Sequence, residues 1–206
     1  MSQFTYEYAD RSEKLETYEW DNVWWEHART TGVPRVLYIG DSISCGTRPQ
    51  ANRLAEGKLF FDGFGTSKAV DNPFFGESLK LFAAQEGERS VILFNNGLHG
   101  FHLSDEGEYA ACYEEMVVFL RKEFPETPIF LLLSTHVKDP IRDQRVIARN
   151  KAVTAIGEKY ALPVVDLYSL TKENAHLLAP DGVHWIEEGY IKIARELLDR
   201  VKEAIR

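Results

Sequence analysis

Apolar residues recur along this chain with two alternating periods. Residues 33–39 (VPRVLYI) are β-branched and aromatic and stop at Gly40. Residues 90–95 (SVILFN) and 128–134 (PIFLLLS) are short continuous apolar runs of the kind buried on both faces of a sheet. Weaker strand signals lie at 58–61 and 162–167. Between these runs the period changes to that of a helix. Tyr109, Tyr113, Val117 and Leu120 recur every three or four residues and predict a helix over 106–123. Helices are also predicted over 76–85 and 144–160, and from about Ile186 onward, where Tyr190, Ala194, Leu197, Val201 and Ile205 form one stripe. Near the start, Trp20, Val23, Trp24 and Ala28 fall at helical spacing, so 18–29 (YEWDNVWWEHAR) reads as a short helix packing its indoles on the body of the protein.

Strands alternating with helices imply right-handed crossovers and a parallel sheet covered on both faces. The expected architecture is α/β, a three-layer α/β/α sandwich of flavodoxin-like type with about five parallel strands. No repeat, linker or low-complexity tract interrupts it, so 1–206 reads as one domain, with 1–32 an aromatic-rich arm packed on it.

Composition narrows the function. Twenty-four basic residues face 32 acidic ones, a formal net charge of -8, which does not favour nucleic acid or an anionic membrane as a partner. No apolar run approaches the roughly 18 residues of a membrane span, and the polar start lacks the apolar core of a secretory signal. Two cysteines do not make a disulfide framework. Together these predict a cytoplasmic protein acting on a small molecule, with its oligomeric state open.

In such sheets ligands bind beyond the carboxyl ends of the strands. Those ends carry Gly40-Asp41-Ser42, Gly63-Phe64-Gly65, Asn95-Asn96-Gly97-Leu98-His99-Gly100 and Ser134-Thr135-His136, while Asp181-Gly182-Val183-His184 precedes the last helix. A serine hydroxyl needs a neighbouring base, an imidazole with an ordinary pKa of about 6.5 can be that base, and a carboxylate can orient the imidazole. Ser42, His184 and Asp181 offer that set. The Gly-x-Ser-x-Gly elbow of α/β-hydrolases is absent, because Ser44 stands where its second glycine belongs.

Gly40-Asp41-Ser42 and Asp181-Gly182-Val183-His184 resemble, in order and position, the first and last blocks of the SGNH (GDSL-type) hydrolase superfamily. The resemblance spans about residue 33 to the C-terminus. It implies a serine esterase with Ser42 as nucleophile, His184 as base and Asp181 as its orienter, using no metal or organic cofactor. It implies oxyanion donors at the Ser42 N–H, at a second-block glycine (Gly65, with Gly63 as alternative) and at a third-block side chain. There His99 stands where the family has asparagine and Gly100 where it has aspartate, with Asn95 or Asn96 as alternative donors. The expected substrate is a small carboxylic ester, an O-acetyl group on a carbohydrate. A short-chain thioesterase or lysophospholipase, or a binding module without turnover, are the competing readings.

Other residues admit two uses. Ser42 could cap a turn and Asp181 a helix. Trp185 is a candidate wall of the substrate pocket. Arg142, with Arg145 and Arg149, could clamp an anionic group or form a solvated face paired with Asp139 and Asp143. His99 and His102 lack an evident third metal ligand. Cys45 reads as packing, as does the Trp20/Trp24/Trp25 cluster, which alternatively offers a sugar-stacking platform.

Overall fold

The structure is a computed structural model; it describes residues 19–85, 87, 89–103 and 105–205. The expected alternation is present. The strands are β1 (Asp21–Trp24), β2 (Arg35–Gly40), β3 (Phe60–Thr66), β4 (Val91–Phe94), β5 (Ile129–Leu132) and β6 (Val164–Val165). The helices are α1 (Ser42–Ala55), α2 (Phe75–Ala83), α3 (Glu106–Glu123), α4 (Pro140–Tyr160), α5 (Leu167–Glu173) and α6 (Glu187–Ala204). The sheet runs β1-β3-β2-β4-β5-β6, and every pairing except β1 with β3 is parallel. Without β1 the order is that of a flavodoxin-like sheet.

Alternating side chains of the central strands feed two cores. Val36, Tyr38, Val91 and Leu93 pack under α1 and α6, while Leu37, Ile39, Ile92 and Phe94 pack under α2 and α3. All six residues of β2 are buried, as its unbroken apolar run requires. The sheet is also tied to its covering helices by polar bonds. Asn52 of α1 accepts from the Phe61 N–H and donates to the Phe61 carbonyl, and Arg35 forks onto the buried Asp62 carboxylate.

Two expectations about local structure are corrected. Residues 21–24 are a strand, not part of a helix, and Tyr18, where that helix was expected to begin, lies outside the described residues. An unpaired edge of β3 offers a row of N–H and C=O groups, and β1 satisfies them in an antiparallel ladder. Trp25, just beyond, stacks on Phe82 at 4.3 Å, so this indole does pack on the body, while Trp24 stays 52% exposed. The second correction is α1, which occupies the stretch after Ser42 that showed no helical pattern. Gly46 and Pro49 hide it: a Cβ on Gly46 would fall 2.3 Å from the Tyr190 ring of α6, so the glycine is the condition for packing α1 on α6.

Candidate active site

The strand β2 ends at Gly40, and the chain turns at once into α1. Asp41 caps the helix, its carboxylate accepting from the Ile43 N–H at 2.9 Å. Ser42 is therefore the first helical residue, and its N–H belongs to the helix start, which has no intrahelical acceptor and the positive end of the dipole. A Cβ on Gly40 would come within 2.8 Å of the Ser44 side chain, so the tight strand-to-helix turn needs that glycine.

His184 arrives from the far end of the chain. Its Nε2 lies 2.8 Å from Ser42 Oγ, and its Nδ1 lies 2.8 Å from Asp181 Oδ2. The other Asp181 oxygen accepts from the N–H groups of Val183 and His184, both at 2.9 Å. This turn needs Gly182 at φ +74°. Partial burial opposes the Asp181 charge, but the two backbone N–H groups and the imidazole outweigh it and hold the carboxyl below its ordinary value. The turn is braced from outside, since Lys138 N–H donates to the Gly182 carbonyl at 2.8 Å. Sequence reasoning paired these three side chains, and the fold brings all three together.

The loop after β4 flanks Ser42 because β4 is the neighbour of β2. It carries His99, which is 1% exposed and meets the Trp20 ring edge-on at 6.4 Å between centroids. The loop is fastened by Arg149, a fully buried side chain of α4. One Nη donates to the carbonyls of Gly97 (3.1 Å) and His99 (2.5 Å), the other to Gly100 (2.9 Å), and Nε to Glu106 (2.5 Å). Phe101 and Tyr109 close over the guanidinium, each ring centroid 4.3 Å away. Arg145 adds bonds to the Phe101 and Leu103 carbonyls and to Glu106. Arg149 is thus neither a solvated charge nor a substrate clamp. Arg142 is half-buried and lies over Phe101 at 5.0 Å.

Other expected positions are reassigned. Gly65 lies inside the sheet, opposite Gly40 on one side and Asn22 on the other. Ser67 N–H donates to the Trp20 carbonyl, and bonded pairs recur at every second residue of an antiparallel ladder, so the Gly65 N–H faces Asn22 rather than Ser42. The same parity removes Gly63. What Gly65 provides is room, because a Cβ there would sit 2.3 Å from Cys45 Sγ. Asn95 spends its side-chain N–H groups on the Leu132 carbonyl and Ser134 Oγ, and Asn96 donates to the Lys68 carbonyl. Trp185 is 4% exposed and packs against Gly189 and the core under α6, so it is a core residue rather than a pocket wall. His102 pairs with Asp71 at 2.8 Å, and no group of three metal-ligating side chains is found among the described residues. Both cysteines are free thiols, and burial pushes the Cys45 thiol up to about 11.

No family model matches the sequence, and no curated protein matches it. Solved structures do. A member of the lipolytic protein G-D-S-L family from Veillonella parvula superposes with a TM-score of 0.67 at 17% identity, over 81% of this chain and 97% of that one. The fold is that of the GDSL (SGNH) hydrolases. A lipase/acylhydrolase from Enterococcus faecalis shares that fold at a TM-score of 0.64 and 15% identity, covering 83% of this chain and 96% of its own. Axe2, an acetylxylan esterase from Geobacillus stearothermophilus, gives 0.61 and 18% identity, covering 84% and 96%. No described helix is long and apolar enough to cross a membrane.

Proposed function

We propose that this chain, on its GDSL-type fold, is a serine hydrolase of small carboxylic esters. The observation that carries the reading is the unbroken relay from Asp181 through His184 to Ser42, two contacts of 2.8 Å each. Ser42 Oγ attacks the ester carbonyl while His184 Nε2 takes its proton. Asp181 accepts the Nδ1 N–H, fixes the tautomer and stabilises the imidazolium. The tetrahedral oxyanion is held by the Ser42 N–H at the start of α1 and by the imidazole of His99. When the C–O bond to the alcohol breaks, His184 returns the proton to the departing oxygen. Water then attacks the acyl-enzyme by the same route, releasing the acid and restoring Ser42 Oγ–H. No step calls on a metal or an organic cofactor.

The acyl group in this reading is short, an acetyl, and the alcohol is a sugar. Asp181 is exposed and Ser42 half-buried, so the relay is an open one. The 49–59 stretch, where an apolar lid over a long acyl chain would be sought, is for the most part the second half of α1. The acetylxylan esterase of like fold agrees with a small acyl group. The lipase/acylhydrolase neighbour supplies the competing expectation of a longer chain.

Initial rates on 4-nitrophenyl acetate, butyrate and octanoate test this, with acetylated xylose measured beside them. Rates falling with chain length and abolished in Ser42→Ala are the expected result. Rates rising towards octanoate would replace the acetylesterase by a lipase-like enzyme. No Ser42-dependent turnover on any substrate would remove the hydrolase reading altogether.

A further inference from the structure

A groove of about 520 Å³ runs between α1 and β1, on the flank of the sheet. That volume is in the range of small-molecule sites. Its charged lining is Glu26, Arg48, Arg53 and Glu56, with His27 at the rim. Three of those four charges have partners. Glu26 accepts from Trp24 Nε1 at 2.8 Å and from Asn52 at 3.1 Å, and His27 stands 3.5 Å from it. Arg53 bonds Glu187 at 3.0 Å, and Glu56 bonds Lys58 at 3.0 Å.

Arg48 differs. It is 8% exposed, yet it makes no hydrogen bond or ion pair with any of the described residues. Asp62 and Glu26 are near enough to attract it but are engaged elsewhere, Asp62 by Arg35 and the Glu26 N–H. Its side chain crosses the sheet at Gly63, where a Cβ would come within 2.6 Å of Nε, and its guanidinium sits 5.1 Å from the centroid of the half-exposed Trp24 ring. The mid-strand glycine, at the usual cost to a strand, makes the room in which this side chain lies. None of its nitrogens is among the enclosed unpartnered atoms of the described residues, so the fork opens on the groove, where an anionic acceptor can replace water.

We propose that this groove is a second ligand site, in which Arg48 takes the oxyanion of a small carboxylate or phosphate ester and Trp24 packs the hydroxylated ring that bears it. A guanidinium matches both anions bidentately. Arg48 lies six positions after Ser42 in α1, about 9 Å along the helix axis, so the site is distinct from the proposed ester centre.

Three ligands sharing one ring decide it: glucuronate, glucose 6-phosphate and unmodified glucose, each titrated into the full chain at millimolar concentrations. The readouts are calorimetry and the Nε–Hε resonance of Arg48. Saturable binding of either anion, with that resonance displaced and glucose silent, is the expected result; the anion that binds identifies the source. Arg48→Gln weakens that binding tenfold or more. Trp24→Ala, at an exposed position, weakens it as well and serves alone if the first variant fails to fold. Ser42-dependent ester turnover persists in both variants, so loss of the groove and loss of the esterase are read separately. Absence of saturable anion binding, binding equal to that of glucose, or binding unchanged in Arg48→Gln would overturn the site.

Discussion

At the scale of single residues, the relay makes sharp demands. Under the proposed reaction Ser42→Ala removes the nucleophile and is expected to leave no ester turnover above background. Asp181→Asn keeps the shape of the turn but offers the imidazole an amide, with an expected loss in kcat on the order of 10^4-fold, as in other Ser-His-Asp sites. His99→Ala lowers kcat by about 10²- to 10³-fold if its imidazole is the oxyanion donor, with little change in KM. Asp181 also has a signature in stability. Its carboxyl is held below its ordinary value in the folded chain, so the native state gains from the charged form. That gain is complete above the ordinary value of 3.8 and is lost as pH falls through the lower, folded value. Urea melts of wild type and Asp181→Asn should therefore differ near neutrality and converge under strong acid. The three relay residues were legible in the sequence because a Gly-Asp-Ser block at a strand end and an Asp-x-x-His turn are local features. Gly65 and Asn95 are engaged elsewhere because a backbone N–H or a side-chain amide is claimed by whichever strand or loop lies beside it, and sequence does not reveal the neighbour.

At the scale of elements, the loop after β4 is held by two arginines of α4, Arg149 at Gly97, His99 and Gly100 and Arg145 at Phe101 and Leu103. Arg149→Met strands three loop carbonyls without their donor and leaves Glu106 to Arg145 alone, and an expected loss of about 3–5 kcal/mol follows from breaking a buried charged network. Arg149→Lys recovers only part of it, since an ammonium cannot reproduce the planar fork. Urea unfolding of the two variants checks both figures. In the sequence Arg149 looked like one of three arginines on a polar helix face. Its role needs the crossing of α4 over the loop, a contact between segments about fifty residues apart. The helices α3 and α6 were legible because each carries its own stripe. The helix α1 was not, because a glycine for Tyr190 and a proline within the helix break the pattern that would have disclosed it.

At the scale of the whole molecule, β1 closes one side of the sheet. The strand interior was legible from apolar runs, but an added edge strand answers to the unpaired groups of β3 and has almost no pattern of its own; all four of its residues are exposed. Asn22→Pro removes an N–H from this ladder and opens the β3 edge, so light scattering of the variant should rise with concentration despite the net charge of -8. The packing of α1 on α6 through Gly46 and Tyr190 carries a consequence for synthesis. Ser42 opens the first of these helices, and His184, 142 positions later, lies three residues before the other. During translation the serine emerges early, before either strand that flanks β2, and without a partner to take its proton. Under the proposed chemistry every nascent chain short of α6 is inert, and the cell meets the reactive hydroxyl only after the sheet beneath it is complete.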